Sequence, residues 1–367
     1  MLTLLWGVAG FHVLPSVFWR SDVTEAAKYM QRALELANLS DGSVAPRPPV
    51  GCVIVTPSGE AFEGRTRRKP GPHAEAAALE AAGEKARGAT AYVTLEPCCV
   101  AVNKPVSCAD LLIEAGVARV VAAMNDPCPD IDGKGFAKLR DAGIEIEVGL
   151  LQDEARELIE PFAKLIATRE PFVTLKLAAS LDGKVAAPDG TSRWITGEQA
   201  RADVHDLRRR ADAIVVGSGT VIADDPLLTF RAPGLEGDQP LRVVLDSSGR
   251  TPRSANIFNA DAETLVITSE DVGAADGGVN LTGALALLGE RGVCHVLVEA
   301  GPTLAGSFMS SGLVDRFVLY LAPKIIGGDA PGLFRDGVKT LTDAWQMEIT
   351  SVTRVGDDIK IEAKAKG

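Results

Sequence analysis

His73-Ala74-Glu75, followed by Glu96-Pro97-Cys98-Cys99 and then Cys108, is a set of residues whose types and spacing could do metal-assisted hydrolysis. A neutral imidazole and two thiolates suit tetrahedral Zn²⁺ and leave a fourth position for water. A carboxylate two residues after the His, not itself a ligand, can carry a proton from that water to a leaving amine. His-Ala-Glu alone would also suit an ordinary helix start. The Pro-Cys partner further along the chain is what favours a zinc site.

The order matches the H-x-E…P-C-x-x-C signature of zinc nucleobase deaminases in its first half. The second Cys comes ten residues after Cys98, or nine after Cys99, instead of three. Local patterns nevertheless place both clusters well. Val50 to Val55 reads as a buried strand, and Gly71-Pro72 is turn chemistry from which His73 opens an Ala-rich helix to about Ala82. Ala91 to Leu95 is a strand that delivers Cys98 and Cys99, and Ala109 to Ala115 is a helix. Both ligand clusters then sit at strand-to-helix turns, where helix dipoles favour thiolate over thiol. Arg119 to Met124, Gly135 to Ala142 and Ile144 to Val148 continue the alternation as strand, helix and strand, which implies parallel pairs flanked by helices.

The chain of 367 residues is longer than one core usually accommodates, so two domains are expected. Hydrophobic residues at 46% and charged ones at 24% are the balance of a folded soluble protein. A net charge of −11 argues against a nucleic-acid surface. The basic run Arg65 to Lys69 reads as a solvated loop, with phosphate binding as the alternative. Cys52, Cys128 and Cys294 are scattered and form no disulfide framework, which suits a reducing cytoplasm. Met1 to Trp19 contains no charged side chain. Pro15 interrupts it and no positive segment precedes it, so residues 1–21 read as an apolar extension or a start set too far upstream, in preference to a membrane anchor.

Residues 22–39 carry a helical apolar face. Residues 151–169 form an amphipathic helix that ends before Pro171 and makes a joint between a domain at 22–150 and another at 171–367. In the second half Phe172 to Leu177, Ala213 to Val216, Leu241 to Asp246, Thr264 to Thr268 and His295 to Glu299 read as strands. Val215 to Thr220 and Val298 to Gly306 are strand-turn-helix junctions whose backbone N–H groups could hold an anion, although neither matches G-x-G-x-x-G. Lys176 lies on a strand before a polar turn. Trp194 offers either an aromatic platform or ordinary packing.

From Thr24 onward these words resemble a known family, the bifunctional riboflavin-biosynthesis proteins, in which a pyrimidine deaminase is fused to a pyrimidine reductase. The matching stretches are Pro49 to Val55, Pro72 to Glu75, Thr94 to Cys98, Leu175 to Gly183, Trp194 to Gly197, Gly219 to Pro226, Glu299 to Gly306 and Ala322 to Lys324. The resemblance implies an α/β chain with a cytidine-deaminase-like N-terminal domain and a dihydrofolate-reductase-like C-terminal domain, using Zn²⁺ and NADPH. It implies that His73, Cys98 and Cys108 hold zinc while Glu75 shuttles protons. For NADPH it implies contacts at Ala178, Trp194, Thr220, Asp224 and Ser247, and along Gly301, Pro302, Thr303, Leu304, Ala305, Gly306 and Ser307. For a phosphoribosylated pyrimidine it implies Ser192, Arg208, Leu228, Arg231 and Glu299. Lys176 and Asp224 fall beside the hydride-transfer position, with the proton donor left open.

Two departures from the family stand out. Arg47 occupies the middle of its Pro-Asn-Pro, and Val100 to Ser107 is one residue longer than the usual loop between the zinc cysteines and lacks its His, Gly and Thr. Cys99 would restore the usual spacing to Cys108, whereas Cys98 keeps the Pro-Cys register and is preferred. The expected protein is a cytoplasmic homo-oligomeric enzyme of riboflavin synthesis, with no nucleic-acid or membrane partner. A reductase whose deaminase half is silent or retargeted is one alternative. A zinc-stapled assembly partner without activity is the other.

Overall fold

The computed structural model describes residues 24–40, 42–100, 106–231, 238–275 and 277–366. The extension at 1–21, residues 101–105 of the altered loop and most of the loop at 232–239 lie outside the described residues.

The first half is one mixed sheet. Its strands are β1 (Gly51–Val55), β2 (Ala61–Arg65), β3 (Thr90–Val93), β4 (Arg119–Ala122) and β5 (Glu145–Val148), in the order β2-β1-β3-β4-β5. β1 runs antiparallel to β2 and β3, whereas β3, β4 and β5 are parallel. Helices α1 (Glu25–Asn38), α2 (Ala74–Ala82), α3 (Cys108–Glu114) and α4 (Lys134–Asp141) flank it. Period-two alternation feeds two cores. Cys52 and Ile54 of β1 join Leu112 and Leu139 on one face, while Val53 joins Met30 and Leu34 of α1 on the other. β2 carries a single buried residue, Gly64, so no apolar run announced it in the sequence. A Cβ on Gly64 would lie 2.1 Å from the Ala74 carbonyl oxygen. Only glycine lets the start of α2 settle this closely on the strand.

Helix α5 (Gln152–Thr168) leads into the second half and packs on it instead of hanging free. Lys164 pairs with Asp315 at 2.6 Å, and Glu160 pairs with Arg316 at 2.8 Å and Lys364 at 2.7 Å.

The second sheet has eight strands. They are β6 (Phe172–Ser180), β7 (Ala213–Gly217), β8 (Leu241–Leu245), β9 (Thr264–Ile267), β12 (His295–Glu299), β13 (Arg316–Ala322), β14 (Met347–Val355) and β15 (Asp358–Ala365). Two short strands, β10 (Ala274–Ala275) and β11 (Gly278–Val279), pair separately. The order is β14-β15-β13-β6-β12-β7-β8-β9, with the segment from β13 to β9 parallel and the last hairpin antiparallel. The helices are α6 (Glu198–Arg210), α7 (Ser218–Asp224), α8 (Ser269–Val272), α9 (Leu281–Glu290) and α10 (Pro302–Ser310). Parallel order brings the ends of β6, β12, β7 and β8 to one edge, the usual place for a ligand crevice. The hairpin β14–β15 leaves Ile349, Val352 and Ile359 exposed, and its mixed polar pattern gave no strand signal in the sequence. Among the described residues no helix is long and apolar enough to cross a membrane.

Candidate active sites

His73 is the N-cap of α2, and Cys108 is the first residue of α3, whose N-cap Ser107 accepts from the Asp110 N–H at 3.2 Å. Cys98 follows β3. The ligating atoms of His73, Cys98 and Cys108 all lie within 4.8 Å of one another. His73 Nδ1 is 3.5 Å from Cys108 Sγ and 3.9 Å from Cys98 Sγ. Donors about 2.0–2.3 Å from a tetrahedral zinc stand at such separations, so the residues present fit the ion. The Cys108 N–H, at the start of α3, donates to Cys98 Sγ at 3.4 Å, which stabilises a thiolate there. Cys99 turns away and its Sγ approaches the Asp130 carbonyl at 4.0 Å.

Glu75 is the second residue of α2 and is 4% exposed. Cys52 on β1 faces it: burial first, then the Glu75 charge, pushes the Cys52 thiol pKa well up, so it stays protonated. The carboxylate therefore sits on the sheet side of α2 next to the cysteine–histidine cluster.

Glu96 has a role that the motif hid. Its buried carboxylate accepts from the N–H groups of Gly133 and Gly135 at 2.9 Å, Phe136 at 3.2 Å and Asp126 at 3.3 Å. It thereby caps α4 and ties the Pro97-Cys98 turn beneath that helix. A Cβ on Gly135 would lie 2.1 Å from the Pro97 carbonyl oxygen, so the helix sits directly on the turn that carries Cys98. Arg47 Nη1 donates to the Gly71 carbonyl at 2.8 Å and the Arg67 carbonyl at 3.1 Å, fastening the turn before His73. Burial lowers its pKa, and it lies within Coulombic reach of Cys108. The basic run divides: Arg65 ends β2, while Arg68 pairs across the halves with Asp238 at 2.5 Å.

The geometry makes a direct prediction. Metal analysis should find about one zinc per chain. Cys108→Ser and Cys98→Ser should lose most of it while Cys99→Ser keeps it. Retention by Cys98→Ser together with loss by Cys99→Ser would exchange the two cysteines.

In the second half a cavity of 1330 Å³ opens along the strand ends. Lys176 of β6 and Glu299 of β12 are register partners on neighbouring strands. Arg208 of α6 grips Glu299 with both arms, at 2.5 and 2.9 Å, and also donates to the Thr229 carbonyl at 3.0 Å. Burial alone would raise the Glu299 pKa. The charge and hydrogen bonds of Arg208, then Lys176 and His205, hold it down to about 2. Burial lowers the Lys176 pKa, partly opposed by Glu299. Beside this triad, Leu228 has φ +47° while only 2% exposed. A left-handed leucine stores about 1–3 kcal/mol of strain, of the kind that collects at functional sites.

Ala178, Ser192, Trp194, Thr220, Asp224, Arg231 and Ser247 also line this cavity, as do Gly301 through Leu304 and Ser307. The two Gly-containing turns face each other, since a Cβ on Gly301 would lie 3.8 Å from Thr220 Oγ1. Trp194 is 63% exposed, with the Arg201 guanidinium 4.7 Å from its ring centre, so ordinary core packing is excluded for it. Two expected contacts are corrected. Ala305 is fully buried in the core and Gly306 packs against the Asp336 backbone, so neither reaches the cavity. Helical phase explains this: Thr303 and Ser307, one turn apart, share the face of α10 turned to the cavity, whereas Ala305, Phe308 and Met309 lie on the face turned to the core. Arg250 and Arg335 line the cavity too, and nothing in the motifs singled them out. The volume exceeds the roughly 300–1,000 Å³ of ordinary ligand pockets, so a dinucleotide and a second ligand fit together.

A zinc-ligand cluster with a buried carboxylate on one sheet and a dinucleotide-sized crevice on the next define a two-domain deaminase–reductase. Residues 23–124 match the cytidine and deoxycytidylate deaminase zinc-binding region, and residues 171–361 match the RibD C-terminal domain. The riboflavin biosynthesis protein RibD of Escherichia coli is 43% identical over 356 residues, covering 90% of this chain and 97% of that protein. RibD of Aquifex aeolicus is 41% identical over 346 residues, covering 91% and 96%. Among solved structures, Acinetobacter baumannii RibD superposes with a TM-score of 0.84 at 37% identity, covering 93% of this chain and 99% of that one. A Thermotoga maritima diaminohydroxyphosphoribosylaminopyrimidine deaminase/5-amino-6-(5-phosphoribosylamino)uracil reductase gives 0.84 at 35% identity, with the same coverage. The chain belongs to the RibD family of riboflavin biosynthesis proteins, with a cytidine-deaminase-like domain followed by a dihydrofolate-reductase-like one.

Proposed function

We propose that this chain carries out two successive steps of riboflavin synthesis. The first half hydrolyses the 2-amino group of 2,5-diamino-6-(5-phosphoribosylamino)pyrimidin-4-one, releasing ammonia and leaving a carbonyl. The second half reduces the ribosyl group to a ribityl chain with NADPH. The observation that carries this reading is the convergence of His73, Cys98 and Cys108 beside buried Glu75, in a chain whose second sheet opens a cavity around Lys176, Glu299 and Arg208.

His73, Cys98 and Cys108 would hold zinc, which supplies the Lewis acidity that makes water nucleophilic at neutral pH. Glu75 takes the proton of the attacking water and returns it to the departing amine. In the second half, Ala178, Trp194, Thr220, Asp224, Ser247, the Gly301–Leu304 turn and Ser307 would hold NADPH, which would supply the hydride. Ser192, Arg208, Leu228, Arg231 and Glu299 bind the phosphoribosyl substrate. Arg208 is pre-oriented by Glu299, so ordering this end costs little when substrate arrives. Lys176 and Asp224 flank the reacting carbon.

This reading includes a cytoplasmic location, supported by six cysteines that form no disulfide. It includes a small-molecule substrate in preference to nucleic acid, in keeping with the net charge of −11. Self-association is part of it, and light scattering measures that directly. The test of activity is to incubate purified protein with the diaminopyrimidine ribotide, with and without NADPH. Ammonia should be released in both cases, and NADPH should be consumed only after deamination. Offering the already deaminated compound separates the halves. NADPH oxidation with that compound but no ammonia from the ribotide would favour the reductase-only reading, for which Arg47 on the turn before His73 is the motive.

A further inference from the structure

His73 is delivered by a turn that leans on a segment reaching across to the second half. We propose that Arg47 is a positioning residue for the zinc ligand His73, braced from the second half, so that metal affinity depends on how the two halves dock. The inference rests on the zinc reading above and concerns a position where the family carries Asn.

The turn before His73 is narrow. Arg67 donates its N–H to the Pro72 carbonyl at 2.9 Å, and Gly71 donates its own to the Arg68 carbonyl at 2.6 Å. The carbonyls of Arg67 and Gly71 both accept from one nitrogen, Arg47 Nη1, at 3.1 and 2.8 Å. A single guanidinium nitrogen thus spans both ends of the turn, and its far contact lies two residues before His73. Hydrogen bonds from a charged donor are the stronger kind. The same guanidinium lies within Coulombic reach of Cys108, a second ligand.

Arg47 is itself held. Its N–H donates to the carbonyl of Val44 at 3.0 Å, and Val44 is 4% exposed. Pro48 follows it, and a proline ring disfavours helical backbone at the residue before. The segment then rests on the second half. A Cβ on Gly42 would lie 2.4 Å from the Ala211 carbonyl oxygen, and one on Gly292 would lie 3.5 Å from the Pro46 ring. Ala211 follows α6 and Gly292 precedes β12, the two elements that carry Arg208 and Glu299. Along this seam a cavity of 440 Å³ is lined by Arg47 together with Arg210, Asp212 and His295 of the second half. The contacts run in one line from the second sheet through Pro46 and Arg47 to the turn at His73. Outer partners that hold a metal ligand in place typically contribute about 10–100-fold in metal affinity.

The test is zinc affinity by chelator competition on the full chain, with neither substrate nor coenzyme present. Arg47→Ala should weaken zinc at least about tenfold. Arg47→Lys keeps the charge without the planar fork and should recover part of that loss. Cobalt(II) in place of zinc should give the intense visible bands of a tetrahedral site in wild type. In Arg47→Ala those bands should weaken and shift, a change that a general loss of stability would not produce. Gly42→Ala disturbs the seat on the second half without touching the turn, and it should weaken zinc by less than Arg47→Ala does. Val44→Ala loosens the same seat more gently and serves if Gly42→Ala does not fold. Wild-type zinc affinity and cobalt spectrum in Arg47→Ala overturn the positioning role. Loss in Arg47→Ala with wild-type affinity in the seat variants overturns the brace from the second half. A wild type that binds no zinc overturns the zinc reading itself.

Discussion

Glu75→Gln should abolish deamination while leaving zinc and the reductase intact. The carboxylate is buried at the start of α2, two residues after His73, and lies outside the cluster that could hold the metal. Glutamine keeps the shape and a hydrogen-bonding oxygen but cannot accept and return a proton. General acid–base catalysis is worth roughly 10² to 10⁴ in rate, and here one residue serves both proton transfers. We expect kcat/KM for ammonia release to fall at least about 10³-fold, or about 4 kcal/mol of transition-state stabilisation. Zinc content by metal analysis should equal that of wild type, because Glu75 is no ligand. NADPH oxidation with the deaminated substrate should be unaffected, because that site lies on the other sheet. Deamination within tenfold of wild type would refute the assignment of Glu75.

Glu299→Ala should have the largest effect in the second half, on both stability and catalysis. It leaves Arg208 and Lys176 as neighbouring positive charges without the carboxylate between them, with the Arg208 side chain only 14% exposed. Breaking a buried pair from one side typically costs about 3–5 kcal/mol, mostly because the remaining charge is uncompensated. Urea unfolding of the reductase half should register a loss of that order. Reductase kcat/KM should fall by at least about 100-fold as the phosphoribosyl end loses its pre-set arginine. The acid dependence follows from the same pair. The folded-state pKa of Glu299 is depressed to about 2 from 4.5, so its contribution to stability is present above pH 4.5 and is lost as pH falls toward 2. Glu299→Gln should therefore lose less stability than wild type between pH 5 and about pH 3. An equal acid slope in the two proteins would show that Glu299 is not the titrating group.

Much of the first site was legible in the chain because its ligands are local punctuation. His73 follows Gly71-Pro72, and Cys98 follows Pro97, so turn chemistry and short-range periodicity located both ends of the sheet that meet at the metal. Cys98 and Cys99 are neighbours in sequence, and the Pro-Cys register favoured Cys98 without showing which sulfur faces His73 and Cys108. The tertiary structure did, because α3 presents its first N–H to the Cys98 sulfur while Cys99 faces the 130 loop. Glu96 was visible as a letter of a motif, but its four backbone donors come from residues about 30 to 40 positions later, which only the packing of α4 brings back.

In the second half β6, β7, β8, β9 and β12 were readable as apolar runs. The edge strand β2 and the hairpin β14–β15 were not, since one-sided or exposed strands bury too little to leave a pattern. The same limit applies to function. Its place on a strand nominated Lys176, and the family resemblance nominated Arg208 and Glu299, but parallel pairing is what sets Lys176 beside Glu299, and only α6 packing over the strand ends joins Arg208 to them. Ala305 and Gly306 shared a motif with true cavity residues and were separated from them by helical phase. Arg250 belonged to no motif at all. Its position depends on two turns, after β7 and β8, that are adjacent in the sheet and about thirty residues apart in the chain.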